Sequence, residues 1–258
     1  PLNGFDYCPI SDSNNVIADA PNHPGIRMVT IKPTVKLSPQ EYAEGSWQQP
    51  TTENAPKFSA AAYHYALTLQ RTLQIPIGVI TCAWGGSRVE GWLPKEILQT
   101  YKDEDLTLIG SDKTPVYLQS MLMYNGILYP CHKYTIKGFI WYQGESNVRS
   151  SRTYAERLAT MVKHWRSIWK QGDLPFYYVQ LSSIDRPSWT WFRDSQRRLA
   201  QTVSNTGMAV SSDRGDSLNV HPTRKKEIGE RLAHWALNKT YGHNVIPSGP
   251  LFRSATFP

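Results

Sequence analysis

Hydrophobic and polar positions along this chain follow two periods. Five short apolar runs, Ile26–Ile31, Ile77–Cys82, Gly138–Tyr142, Pro175–Leu181 and Met208–Ser212, have the length and the β-branched or aromatic content of strands. Stretches with helical spacing lie between them. In Ser59–Leu73, the residues Ala62, Tyr65, Ala66, Leu69 and Leu73 fall on one face. In Thr153–Trp169, Leu158, Met161, Val162, Trp165, Ile168 and Trp169 mark the clearest helical stripe of the chain. Shorter helices are predicted at Asn14–Ala20, capped by Asn14, and at Pro94–Tyr101, with Pro in the first turn. Val116–Leu128, Arg193–Val203 and Pro222–Asn238 complete the set. The alternation of strand and helix predicts a parallel sheet covered on both faces. Ile77–Cys82 is apolar throughout and reads as a strand buried on both sides.

The remaining segments read as loops. Pro1 to Gly25 is mostly loop, and Lys32 to Lys57 is a long one with prolines at 33, 39, 50 and 56. A second long loop follows Leu181 and carries Trp189 and Trp191. From Tyr241 the chain reads as a tail, which leaves residues 1–240 as one α/β domain and 241–258 as tail or the start of a following segment.

Composition narrows the function classes. A chain of 258 residues with 40% hydrophobic and 12% aromatic content fills a substantial core. No run approaches the ~20 apolar residues that span a bilayer, and no signal-peptide pattern opens the chain, which starts at Pro1 without an initiator Met. The net charge is +7, but basic residues cluster only at Arg197-Arg198 and Arg224-Lys225-Lys226. With no recognisable module beside them, nucleic acid is not the expected partner. The excess of positive charge is weakly compatible with an anionic small substrate. Cys8, Cys82 and Cys131 form neither a C-x-x-C pair nor a disulfide framework, and Cys82 reads as a small buried hydrophobe. Asn238-Lys239-Thr240 is a formal glycosylation sequon. His, Asp and Glu do not cluster at ligand spacing, so no metal is expected.

Three polar junctions carry the candidate chemistry. Trp84-Gly85-Gly86-Ser87-Arg88 follows the second predicted strand, Gln143-Gly144-Glu145-Ser146-Asn147 follows the third, and Asp213 to His221-Pro222 follows the last. In a parallel sheet all three lie at the same edge, where ligands bind. Together they offer a backbone N–H at a glycine, an amide and an imidazole. Those are the parts of an oxyanion hole and a general base. His221 stands above the other six histidines because it sits at a loop-to-helix junction after a strand. The nearest acids are Asp216 and Asp213. Ordinary alternatives exist for each: a surface turn for the Gly-Glu-Ser-Asn loop, an ion pair of Arg88 with Glu90 or Glu145, and a loop-orienting strut for Glu145.

The chain resembles the sialate O-acetylesterases, a branch of the SGNH-type esterases. The resemblance rests on PLNGFDYCPI followed by PGIR, NAPKFSAAAY, GVITCAWGGSRVEGWLP, MYNGILYP, GFIWYQGESN, TYAERLATMVKHWR and NVHPTRKKEIGERLA. It implies a three-layer α/β/α sandwich of flavodoxin-like type around a central parallel sheet. It also implies serine-dependent hydrolysis of O-acetyl esters on sialic acids, without a cofactor, in a periplasmic or secreted setting. A xylan or other carbohydrate acetylesterase is the alternative within the class, and an inactive carbohydrate-binding protein the alternative outside it. Carried over by position, Gly86 and Gln143 resemble the oxyanion-hole contributors and His221 the general base. Trp84, Arg88, Glu145 and Asn147 resemble site-lining residues. There are two departures. The Gly-Gln-Ser-Asn type block that holds the nucleophile in such enzymes precedes the segment resembling Pro1-Leu2. The chain is therefore expected to begin after its serine and first strand, with the serine on a separate N-terminal polypeptide, on an upstream part of the same chain, or cut off at a gene-fragment boundary. The Asp that many SGNH esterases place three residues before the histidine is Leu218 here, leaving Asp213, Asp216 or no acid at all. The resemblance also implies a β-rich segment after the domain, with Gly249-Pro250-Leu251-Phe252 as its start.

Overall fold

Five parallel strands form within the apolar runs: β1 (Ile26–Thr30), β2 (Ile77–Thr81), β3 (Phe139–Trp141), β4 (Phe176–Val179) and β5 (Thr206–Ala209). They are seen in a computed structural model that describes residues 4–5, 9–250 and 254–256. Among the described residues six α-helices accompany them: α1 (Ser13–Asp19), α2 (Ala60–Leu73), α3 (Lys95–Leu98), α4 (Ser151–Trp169), α5 (Trp189–Thr202) and α6 (Lys225–Trp235). Leu251 and Phe252, expected to begin a following strand, lie outside the described residues, as does Cys8.

Successive strand residues point to opposite faces, and this sorts the core into two layers. Trp141, Phe176, Tyr178 and Val29 face one cluster, filled by Leu158, Met161, Val162 and Trp165 of α4 and by Phe192 and Leu199 of α5. Ile26, Met28, Ile77, Tyr177 and Val179 face the other, filled by Tyr63, Ala66 and Leu69 of α2 and by Ile228 and Leu232 of α6. The architecture is therefore a three-layer α/β/α sandwich with parallel strands.

The sheet differs from the expected single ladder. β1 pairs with β2, and β3-β4-β5 form a second parallel ladder. Among the described residues no ladder joins β2 to β3. β1 is bridged on its outer side by Gln48 at Met28. β2 is not buried on both faces: Gly78 is exposed, and Val79 and Ile80 are only half-buried.

Other departures have local causes. The helix expected over Val116–Leu128 is broken, because Met121 adopts φ 72°. A 3₁₀ turn at Val116–Leu118 precedes the break, and a π-helical turn at Tyr124–Leu128 follows it. α5 starts four residues earlier than the spacing suggested. Trp189 and Trp191 thus belong to its first turn, with Trp189 buried (4% exposed) and Trp191 at the surface (71%). The last helix is regular only over Lys225–Trp235 and ends in a π-helical turn, Ala236–Thr240. α1 is preceded by Asp12 rather than capped by Asn14, and the Asp12 carboxylate accepts from Asn15 Nδ2. Within residues 241–258, Val245 O accepts from Asn238 Nδ2 (3.0 Å). Among the described residues no helix is long and apolar enough to cross a membrane.

Candidate active site

The loops after β2 and β3 are bolted together. Gln143 is the second residue beyond β3, and its side chain is held on every side. Its Nε2 donates to Ser87 O (2.9 Å) and to Asn147 Oδ1 (2.8 Å), and its Oε1 accepts from Tyr154 OH (3.1 Å). Its backbone carbonyl accepts from Tyr154 OH and from Gln196 Nε2 (3.2 Å). Ser146 Oγ donates to Gly86 O (2.6 Å), and Val89 N–H donates to Asn147 Oδ1 (2.9 Å). These bonds fix the Gly86 turn against the Gly144 turn.

Both turns need glycine. Gly86 sits at φ 77°, and a Cβ there would lie 3.0 Å from the Tyr117 ring. Gly144 sits at φ 154°, and a Cβ there would lie 2.5 Å from Phe192 Cε1.

Beneath the loops lies a buried charge network. Glu90 is fully buried; it accepts from Arg157 Nη1 (2.6 Å) and from Asn147 Nδ2 (3.0 Å). Arg157 also pairs with Asp103 (2.6 Å) and lies over the Tyr101 ring. Burial works against its charge, but the hydrogen bond to Glu90 and the surrounding carboxylates outweigh that and raise its pKa. Arg88 pairs with Glu104 (2.6 Å) and donates to Leu118 O (2.9 Å), with Glu90 at 3.8 Å. Ser120 Oγ donates to Glu104. Arg88 and Asn147, expected to line the site, thus belong to the frame that carries it. Trp84 is half-buried and packs on the core.

The third junction approaches the same edge. His221 is half-buried, and its backbone N–H donates to Asn219 Oδ1 (2.9 Å). Burial lowers the His221 pKa; Glu145 opposes that and Lys225 adds to it. The Lys225 ammonium lies 5.1 Å from the centre of the Tyr142 ring, which puts the start of α6 against the end of β3. Both candidate acids have partners of their own. Both oxygens of Asp213 are taken by Arg231 (2.6 and 2.7 Å), which with burial opposing holds its carboxyl down at about 2. Asp216 accepts from the backbone N–H groups of Leu218 and Asn219 (2.7 and 2.9 Å). The two serines within the loops are also engaged, since buried Ser87 Oγ accepts from Trp92 Nε1 (3.0 Å).

The structure thus brings Gly86, Gln143, Glu145 and Asn147 together and carries His221 toward them. Sequence reasoning missed Glu104, Tyr154, Arg157 and Gln196. Gln196 is fully buried on α5, where a polar residue on the apolar side was the available signal. Among the described residues no group of His, Cys, Asp or Glu is arranged to hold a metal.

Comparison with known proteins shows the family. Residues 36–238 match a family model described as carbohydrate esterase, sialic acid-specific acetylesterase. The human sialate O-acetylesterase is 26% identical over 94% of this chain and 52% of its own length. The mouse sialate O-acetylesterase is 25% identical over 94% and 55%. The chain spans about half the length of these curated relatives. A solved carbohydrate acetylesterase from Xanthomonas citri superposes with a TM-score of 0.85 at 31% identity, over 96% of this chain and 57% of that one. An Arabidopsis thaliana protein shares the fold at a TM-score of 0.53 and 19% identity, over 84% and 82%.

Proposed function

The chain belongs to the sialic acid-specific acetylesterase family of carbohydrate esterases, and from that premise we propose that it hydrolyses O-acetyl esters on sialic acids by serine acyl-enzyme chemistry. His221 is the general base. The Gly86 backbone N–H and Gln143 Nε2 stabilise the oxyanion of the tetrahedral intermediate, and Glu145 lines the sugar side. The observation that carries this reading is the rigid joint between the loops after β2 and β3, which holds donors in advance of charge development. Because both Gln143 amide hydrogens are engaged, one bond is exchanged for the oxyanion as the intermediate forms. Asp213 and Asp216 are held by Arg231 and by the backbone of residues 218 and 219.

The nucleophilic serine comes from a segment beyond the described residues. Two facts support this. Ser87 and Ser146, the serines within these loops, are tied to Trp92 and to Gly86. β2 and β3 also each keep one edge without a partner strand among the described residues, although the loops above them are joined and both cores run beneath them. A parallel strand between them would cover half-buried Val79, Ile80, Phe139 and Ile140 and deliver its last residue to the three junctions. The setting of such an enzyme is periplasmic or extracytoplasmic, where acetylated glycans are found.

Acetate release from 9-O-acetylated sialic acid and from acetylated xylan tests the reading. Expected are no turnover by residues 1–258 alone and turnover once the upstream segment is present, with sialic acid preferred. His221→Ala in that complete protein should lower kcat by orders of magnitude. Activity should fall as the pH drops through a His221 pKa lying below 6.5, because protonated imidazole is no base. A fully active His221→Ala variant refutes the assignment, and saturable sugar binding without turnover points to the carbohydrate-binding alternative.

A further inference from the structure

Cys82 is the first residue after β2, and Cys131 closes the 3₁₀ turn Tyr129–Cys131. The two are 49 positions apart in sequence, yet their Sγ atoms are 3.8 Å apart. Both thiols also lie near one acceptor, Ile127 O, at 3.7 and 3.5 Å. Both are free thiols, and the hydrolysis proposed above uses neither. Cys131 is buried, 3% exposed, and Cys82 is half-buried. Cys131 lines a cavity of about 80 Å³ with Ile31, Ile80, Trp47 and Tyr134, and Trp47 and Tyr134 are 44% and 51% exposed. A disulfide bond is ~2.05 Å long, so closure needs the sulfurs to approach by about 2 Å, within the scale of a side-chain rotation.

We propose that Cys82 and Cys131 are a cross-linking pair that closes to an intramolecular disulfide when the chain meets a small-molecule disulfide such as oxidised glutathione. Cys131 is the member of the pair that lines the cavity, and the Cys82 S–H donates to its sulfur, which lowers the Cys131 pKa. The Cys131 thiolate attacks one sulfur of the small disulfide. That S–S bond breaks, and one small thiol leaves with the electron pair and takes up a proton. Cys82 then gives up its proton and attacks the Cys131 sulfur of the mixed disulfide. The Cys82–Cys131 bond forms, and the second small thiol leaves. The protein has lost two hydrogens, and the small disulfide has become two thiols. The bond would pin the exit of β2, from which the Gly86 turn starts, to the segment below it. The loop it closes contains Glu90, Asp103 and Glu104 of the buried charge network.

The test uses the 258-residue chain with Cys8→Ser, which leaves only the pair. The protein is incubated with oxidised glutathione, denatured, alkylated without reductant and weighed. The expected product has lost two hydrogens, takes up no alkylating group, yields an 82–131 cross-linked peptide and melts several degrees higher until dithiothreitol is added. Two alkylated cysteines after oxidation overturn the proposal. So does a stable glutathione adduct that never closes. In Cys8→Ser with Cys82→Ala the mixed disulfide should accumulate on Cys131. An unmodified Cys131 there overturns the route through the cavity.

Discussion

Arg157→Met removes one charge from beneath the candidate site and keeps most of the side chain's length and packing. Glu90 is 0% exposed and Glu104 5% exposed at their side chains, and Arg157 lies 2.6 Å from the first and 3.6 Å from the second. Without it, two buried carboxylates share Arg88 alone. Charge centres about 4 Å apart attract with ~4 kcal/mol at an effective dielectric near 20. Breaking a buried pair by deleting one partner costs about 3–5 kcal/mol, because the other charge stays behind. The pairing with Asp103, 64% exposed, adds little to that. The variant should therefore lose about 3–5 kcal/mol in urea unfolding, read as a lower midpoint at an unchanged slope. Adding Glu90→Gln should restore part of the loss, since a neutral amide still accepts from Asn147. A loss below ~1 kcal/mol, or a double variant weaker than the single by the full cost of Glu90→Gln, would refute the reasoning.

Three further outcomes are expected. His64 is 4% exposed, and burial, with the Lys226 charge adding, pushes its pKa down to about 4. The unfolded chain takes up that proton near 6.5, so the contribution is fully present above 6.5 and is lost as the pH falls toward 4, by up to about 3 kcal/mol. His64→Leu should flatten that part of the stability profile, and superimposable profiles would remove His64 as the cause. Gly144→Ala forces a Cβ into Phe192, which is fully buried, at a strained φ, and should cost ~2–3 kcal/mol in the same urea titration. Trp189→Ala deletes a buried ring whose Nε1 donates to Ser182 O, and should cost about 3–5 kcal/mol, whereas Trp191→Ala should stay within ~0.5 kcal/mol. Equal effects on thermal unfolding would contradict the placement of α5.

The sequence shows most clearly what depends on local period. α2 and α4 are legible because their apolar residues repeat at helical spacing over long stretches, and the strands because apolar runs stop at polar loops. Val116–Leu128 misled because its apolar residues also fit a helix, while a positive φ at Met121 leaves no trace in a periodicity. The sequence shows α5 as shorter than it is, because its first turn after Pro187 carries two tryptophans whose pattern resembles a loop. The glycine, glutamine and histidine of the candidate site could be named because they follow strands. The network under them could not. Glu90, Glu104 and Arg157 are far apart in the chain, and each alone reads as a surface charge. Only the fold shows that they neutralise one another inside it.

The division of the sheet has a consequence for how this polypeptide behaves in solution. Open strand edges are templates on which other chains add strands. β2 and β3 are uncharged and rich in branched or aromatic residues, the composition from which ordered aggregates grow, and only Pro76 and Lys137 guard their entrances. Self-association of residues 1–258 should therefore rise steeply with concentration and begin at these two edges. A short peptide that pairs with them in parallel should suppress the light scattering that reports it.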